Sequence, residues 1–275
     1  MFKDCLLITR PYSLVDLALV GLLANIIAVG QLIPNLWLFL DILIPLMFWI
    51  SFLYLTENRK KRIHVPVSLS IFFLLIPAVL ILLINPLSLI FLPFALIVLY
   101  LYSRKNSNRY LGTFSFLSRG LFTVLAFLTI ISLHGFNLLE PVMNTHLALL
   151  LGIFLLSSSR NLVGDIRDYA VDRHTFTKHF GKMSSLIVSS LMLLLTVLLF
   201  LDPILTFPLY ILFTIMILTR NNAFNLHKLY VLTTTFFFMN YVLNLLGISP
   251  VFSDILYLSV VLNFTYNYVP RSYAN

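Results

Sequence analysis

Ten apolar windows alternate with short polar connections, near residues 13–33, 36–56, 66–84, 87–103, 111–133, 145–163, 183–201, 204–219, 229–247 and 251–268. At the helical rise of about 1.5 Å per residue, roughly 20 residues cross a bilayer core. None of the windows alternates residue by residue as a barrel strand does. The tenth is short and is interrupted by Ser253, Asp254 and Asn263. The pattern predicts an all-α polytopic membrane bundle of nine transmembrane helices, ten where 251–268 also spans, around a central cavity. Asn85-Pro86 and Asp202-Pro203 mark tight turns between windows. No soluble domain, linker or low-complexity segment interrupts the rhythm, so residues 1–275 read as a single transmembrane domain.

The basic residues fall on alternate connections. Lys3 and Arg10 precede the first window, and Arg59, Lys60, Lys61 and Arg62 follow the second. Arg104, Lys105 and Arg109 follow the fourth; Arg160, Arg167, Arg173, Lys178 and Lys182 follow the sixth. Arg220 and Lys228 follow the eighth, and Arg271 the tenth, while the odd-numbered connections hold no Lys or Arg. Lys and Arg favour the cytoplasmic side of membrane helices. A cytoplasmic N-terminus therefore puts every basic residue except Arg119 on the inside and Glu140, Asp202 and Asp254 on the outside. The first window, at about 20 residues, reads as a retained helix rather than a cleaved signal.

Composition agrees with the pattern. The chain is 60% hydrophobic and 10% charged, against roughly 25% charged in soluble domains, and its mean hydropathy is +0.99. A net charge of +8 would suggest nucleic acid in a soluble protein; here topology explains it, and no nucleic-acid partner is expected. Cys5 stands alone, which excludes an intrachain disulfide.

Against this background the stretch from Arg160 to Arg173 stands apart. It holds Asp165, Asp168 and Asp172, three of the ten acidic residues. On a continuous helix, Asn161, Asp165, Asp168 and Asp172 fall within an arc of about 60°. Carboxylates near hydrocarbon are expensive and mark candidate functional sites. Three on one face repel unless a cation sits between them, and Mg²⁺ commonly bridges carboxylates to substrate phosphates. The plain alternative is a solvated helix end in which Arg160, Arg167 and Arg173 pair with the acids.

Carboxylates for Mg²⁺, with Lys and Arg nearby, form a site for a diphosphate. An apolar cavity between helices would hold a lipid tail. Together they describe an enzyme acting on a polyprenyl diphosphate, whose departing diphosphate is stabilised by metal and cations. Other chemistries find little support. The six histidines show no zinc spacing, and GxSxG, Walker and HExxH patterns are absent. A CDP-alcohol phosphotransferase signature needs DG and AR pairs, where this chain has Gly164-Asp165 and no AR pair.

The segment Asp165-xx-Asp168-xxx-Asp172-Arg173 resembles the second aspartate motif of the UbiA superfamily of intramembrane prenyltransferases. Thr175-Phe176-Thr177-Lys178-His179-Phe180-Gly181 resembles the segment that follows it, with about four residues deleted after Arg173. Leu101-Tyr102-Ser103, Arg109 and Leu111-Gly112 are similar to the family's loop after span four. Arg119-Gly120-Leu121 and Arg10-Pro11 match short signatures as well. The resemblance covers roughly residues 7–247. It implies a UbiA-like bundle, Mg²⁺ as cofactor, and transfer of a prenyl group from an isoprenoid diphosphate to an aromatic or lipid-like acceptor. Asp165, Asp168 and Asp172 would hold metal. Arg104, Lys105, Arg109 and Lys178 would hold the diphosphate, and Asn161 would orient the carboxylates. Arg119 is open between a phosphate contact and a structural pair.

The family's first aspartate motif, NDxxDxxxD at the end of span two, has no counterpart. That region reads Phe48-Trp49-Ile50-Ser51-Phe52-Leu53-Tyr54-Leu55-Thr56-Glu57-Asn58. Glu57 is the one acid on the inner side between Asp41 and Asp165, and so the candidate replacement ligand. The missing motif motivates an alternative: a UbiA-like protein without catalysis that binds lipid diphosphate or serves as a membrane scaffold. Asp16 and Asp41, inside spans one and two, are expected to be interhelical hydrogen-bond partners.

Overall fold

The structure is a computed structural model that describes residues 11–59, 66–135, 147–200 and 223–248, with backbone only at 11–12, 56–59 and 223. The windows 204–219 and 251–268 lie outside the described residues. So do Arg10, Lys60, Lys61, Arg62, Glu140, Asp202 and Asp254, and the side chains of Glu57 and Arg59.

Among the described residues the chain is all helix, with no strand. The helices are α1 (Pro11–Val29), α2 (Leu36–Arg59), α3 (Val67–Ile84), α4 (Phe91–Ser103), α5 (Arg109–Thr113), α6 (Ser115–Leu133), α7 (Leu147–Arg167), α8 (Phe176–Phe200) and α9 (Ala223–Leu245). A 3₁₀ turn, Pro86–Ile90, leads into α4. Six stretches are long and apolar enough to cross a membrane: Leu36–Leu55, Val67–Ile84, Pro86–Ser103, Ser115–Leu133, Leu147–Arg167 and Phe176–Phe200; Ser13–Val29 is a shorter apolar helix. They fit an integral membrane protein.

Local chemistry sets the boundaries. Asn85 caps the 3₁₀ turn, accepting from the Leu87 amide at 3.2 Å, and its Nδ2 donates to the Ser132 carbonyl at 2.7 Å. Pro86 takes the first position, where a missing N–H costs nothing. Asn108 caps α5 by accepting from the Leu111 amide at 3.1 Å. Pro45 and Pro77 lie inside α2 and α3, as membrane helices tolerate where neighbours satisfy the freed carbonyl.

α7 packs against α6, α8 and α9, and α1 against α2, α6 and α9. One apolar core runs through them, with Leu23, Phe122, Phe127, Ile153, Leu156 and Phe237 fully buried. α3 and α4 lie at the periphery, with Phe72, Leu75, Leu83, Phe94 and Ile97 exposed. Apolar exposure of that kind suits lipid contact.

The expected window 111–133 divides at Phe114 into α5 and α6. Arg119 therefore sits in the second turn of α6, nearer the helix end than a span beginning at 111 implies. The window 183–201 reaches back to Phe176, with a break at Gly181 (φ 86°, ψ 164°). That φ is left-handed backbone, open to glycine at little cost. The glycine closing the Thr175–Gly181 segment thus kinks α8 near its start.

Candidate functional site

The acidic stretch is helical only in part. α7 ends at Arg167, and the chain continues through turns in which the Asp168 amide donates to the Gly164 carbonyl at 3.0 Å and the Asp172 amide to the Asp168 carbonyl at 3.0 Å. The single helix face expected for Asn161, Asp165, Asp168 and Asp172 is therefore interrupted, and the aspartates take different partners.

The turn after α4 supplies the first partner. The Lys105 amide donates to the Tyr102 carbonyl at 3.2 Å, and the Ser107 and Asn108 amides donate to the Arg104 carbonyl at 2.9 and 3.2 Å. This tight turn directs Lys105 back into the bundle. Its Nζ lies 3.0 Å from Asp165 Oδ1 and 2.9 Å from Asp172 Oδ2, with all three residues buried. Asn106 completes the link: its Nδ2 donates to Asp172 Oδ1 at 3.1 Å, and its Oδ1 accepts from the Arg173 amide at 3.0 Å. Gly112 makes the close approach possible, because a Cβ there would collide with the carbonyls of Lys105 and His174.

Electrostatics hold Lys105 charged. Burial favours the neutral amine, but Asp165, Tyr102 and Asp172 outweigh it and push the pKa well above the ordinary lysine value. One ammonium thus stands between two carboxylates, where the sequence reading placed a metal ion. Asp165 Oδ2 is buried without a hydrogen-bond partner.

The other predicted residues spread out. Asp168 accepts from Arg167 Nε at 2.9 Å and Nη2 at 2.7 Å, and Arg167 Nη1 lies 3.1 Å from His227 Nδ1 of α9. Asn161 accepts from the Tyr102 hydroxyl at 3.4 Å and donates to the Ser115 carbonyl at 3.3 Å. It ties α4 and α6 to α7 instead of orienting the carboxylates. The half-buried Arg104 has its guanidinium over Tyr100, 5.1 Å from the ring centroid. Arg109 is exposed. Lys178 and Lys182 stand 4.2 and 4.9 Å from the Tyr169 ring centroid, and Arg119 stands 4.8 Å from that of Trp49. Of the predicted cations, Lys105 contacts two of the predicted carboxylates, Asp165 and Asp172.

Two partners were not foreseen. Asn106 beside Lys105 carried a weak signal, a polar residue next to a candidate. His227 carried none, since its contact to Arg167 joins positions 60 apart in sequence.

The donor set can be tested against Mg²⁺. Among the described residues no three His, Cys, Asp or Glu side chains form a ready metal cage. Mg²⁺ rarely uses such a cage; one or two carboxylates and substrate phosphates suffice. The unpartnered Asp165 Oδ2 beside Asp172 meets that smaller requirement.

Compared with family models, with curated proteins and with solved structures, the chain finds no match. The likeness to UbiA prenyltransferases therefore stands on the residues quoted above.

Proposed function

We propose that this chain is a UbiA-like intramembrane prenyltransferase, with the Lys105–Asp165–Asp172 site facing the cytoplasm. It would take a polyprenyl diphosphate as donor and an aromatic or lipid-like molecule as acceptor. The observation that carries this reading is convergence: acids from the end of α7 and a cation from the loop after α4 meet at one end of the bundle. Asp165, Asp172 and, past its Arg167 pair, Asp168 are the residues that would hold Mg²⁺, which would neutralise charge on a departing diphosphate. Lys105 already lies against those acids and would offer its ammonium to phosphate oxygens as a point charge. Transfer of labelled prenyl groups, measured in membranes with a panel of donors and acceptors, tests the proposal. The wild-type chain should transfer in a Mg²⁺-dependent way, and Asp168→Ala should lose transfer while remaining folded. A wild-type chain inert across the panel would sink it.

A specific observation favours a second reading. Lys105 bridges two carboxylates and Arg167 pairs with a third, so each acid has a cationic partner without metal. In that reading the chain binds lipid diphosphate without turnover, or acts as a membrane scaffold. Diphosphate affinity that ignores Mg²⁺, with no product formed, separates it from the enzyme.

A further inference from the structure

A groove of about 580 Å³ runs between α2, α3 and α4. Phe48 and Phe52 of α2, Leu74 of α3 and Leu96, Tyr100 and Ser103 of α4 line it. That volume lies in the range of small-molecule sites, about 300–1,000 Å³. Its two serines are spent on the protein: Ser51 Oγ donates to the Ser70 carbonyl and Ser103 Oγ to the Tyr100 carbonyl, each at 2.7 Å. The rest of the lining is apolar apart from Tyr100 and suits a hydrocarbon chain.

Its polar end is different. Tyr100 and Ser103 lead directly to Arg104, whose guanidinium lies over the Tyr100 ring. Arg104 Nε is buried without a hydrogen-bond partner, and no carboxylate among the described residues pairs with this arginine. Among the described residues, an apolar groove with an unpaired guanidinium beside its lining Tyr100 fits a molecule with a hydrocarbon tail and an anionic head. We propose that the groove binds an anionic membrane phospholipid, one acyl chain along α2–α4 and the phosphodiester on Arg104. Guanidinium matches phosphate oxygens in bidentate fashion, and basic pockets between membrane helices take anionic headgroups. A diphosphate carries more charge than one guanidinium balances. The Lys105 Nζ stands 5.6 Å from the Tyr102 ring, which packs on groove-lining Phe52 with centroids 5.7 Å apart, and none of Lys105, Asp165 and Asp172 lines the groove. The lipid site shares no lining residue with the proposed donor site and stands whether or not the chain transfers prenyl groups.

The test uses the full chain in phosphatidylcholine nanodiscs doped with phosphatidylglycerol bearing a photoreactive acyl chain. Peptides are mapped by mass spectrometry after illumination. Labelling should concentrate on the peptide containing Leu96–Ser103, and excess phosphatidylglycerol should reduce it several-fold where phosphatidylcholine does not. Arg104→Gln should reduce it by a similar factor. Leu96→Trp, which fills the groove and keeps the arginine, should do the same. Equal labelling by a phosphatidylcholine probe, or labelling indifferent to Arg104→Gln and Leu96→Trp, would overturn the site. Displacement by a polyprenyl diphosphate but not by phosphatidylglycerol would give the groove to the prenyl donor and overturn it too.

Discussion

Two buried charge clusters anchor α7 to earlier parts of the chain, and they are built on opposite principles. Between three helices, Asp16 of α1 pairs with Arg160 of α7 and accepts from Thr235 Oγ1 of α9 at 2.5 Å. Each Asp16 oxygen has a partner, and all three residues are buried. At the loop end, one ammonium serves two carboxylates, and Asp165 Oδ2 has no partner at all. The first cluster is closed: it fixes three helices and has nothing left to offer. The second is open, with acid in excess of its one shared cation and an acceptor to spare. Buried charges are retained where they specify packing or perform chemistry, and the pairing arithmetic separates the two roles here.

The sharpest way to break the comparison is to remove one side of the closed pair. Arg160→Leu strands Asp16 in an apolar interior, and we expect a loss of about 3–5 kcal/mol. Adding Asp16→Leu should return most of it, because an apolar pair of similar volume is often neutral or better. Reversible unfolding in detergent measures both. A single mutant as stable as wild type would show that the pair is not a staple.

The open cluster should respond differently. Lys105→Met leaves Asp165 and Asp172 facing one another, and we expect a loss of about 1.5–3 kcal/mol, the range for hydrogen bonds to charged groups. A divalent ion can take the place of the ammonium, so Mg²⁺ should raise the unfolding temperature of Lys105→Met more than that of wild type. Equal Mg²⁺ responses would remove the ground for treating the Asp165 end as open.

The sequence made part of this contrast legible. The one-sided basic loops and the apolar windows located α2, α3, α4, α6 and α7 to within a few residues, because helix length and hydropathy are local properties. Asp16 and Asp41 were readable as interhelical partners, because a lone acid inside a span needs one. The partners themselves were not readable. Arg160 and Asp165 are five apart, about 140° around a helix, so Arg160 turns from the acids toward Asp16, as helical geometry alone allows. That Thr235 would complete the pair depends on a contact 219 residues away. The end of α7 was misread for a different reason. Helical spacing aligned Asp172 with Asp165, and the chain does bring both to Lys105, but through turns after Arg167.

A third cluster lies between these extremes. Asp41 Oδ2 accepts from Asn25 Nδ2 and lies against His134 Nε2, each at 2.7 Å, while Asp41 Oδ1 is buried without a partner. His134→Ala removes one of two contacts to an oxygen that keeps the other. We expect a loss of about 1 kcal/mol, near the ordinary worth of a hydrogen bond, read as a small fall in unfolding temperature. A loss as large as that of Arg160→Leu would place Asp41 with the closed staples.

The smallest effect is one of pH, and its sign follows from the open cluster. Burial acts to lower the Lys105 pKa, but Asp165, Tyr102 and Asp172 prevail and raise it well above the usual value. The folded state therefore holds the proton more tightly than the unfolded chain, where a lysine titrates near about 10.4. Stability from this linkage is fully present below that point and is lost only as pH rises through the folded pKa. The stability difference between wild type and Lys105→Met should thus gain no Lys105-linked slope from about pH 7 to about pH 10 and shrink only above that. A difference that fell steadily from about pH 8 would mean the ammonium gives up its proton as an ordinary or depressed lysine does. Asp165 and Asp172 would then not be holding it, and the bridge between the two loops would lose its electrostatic basis.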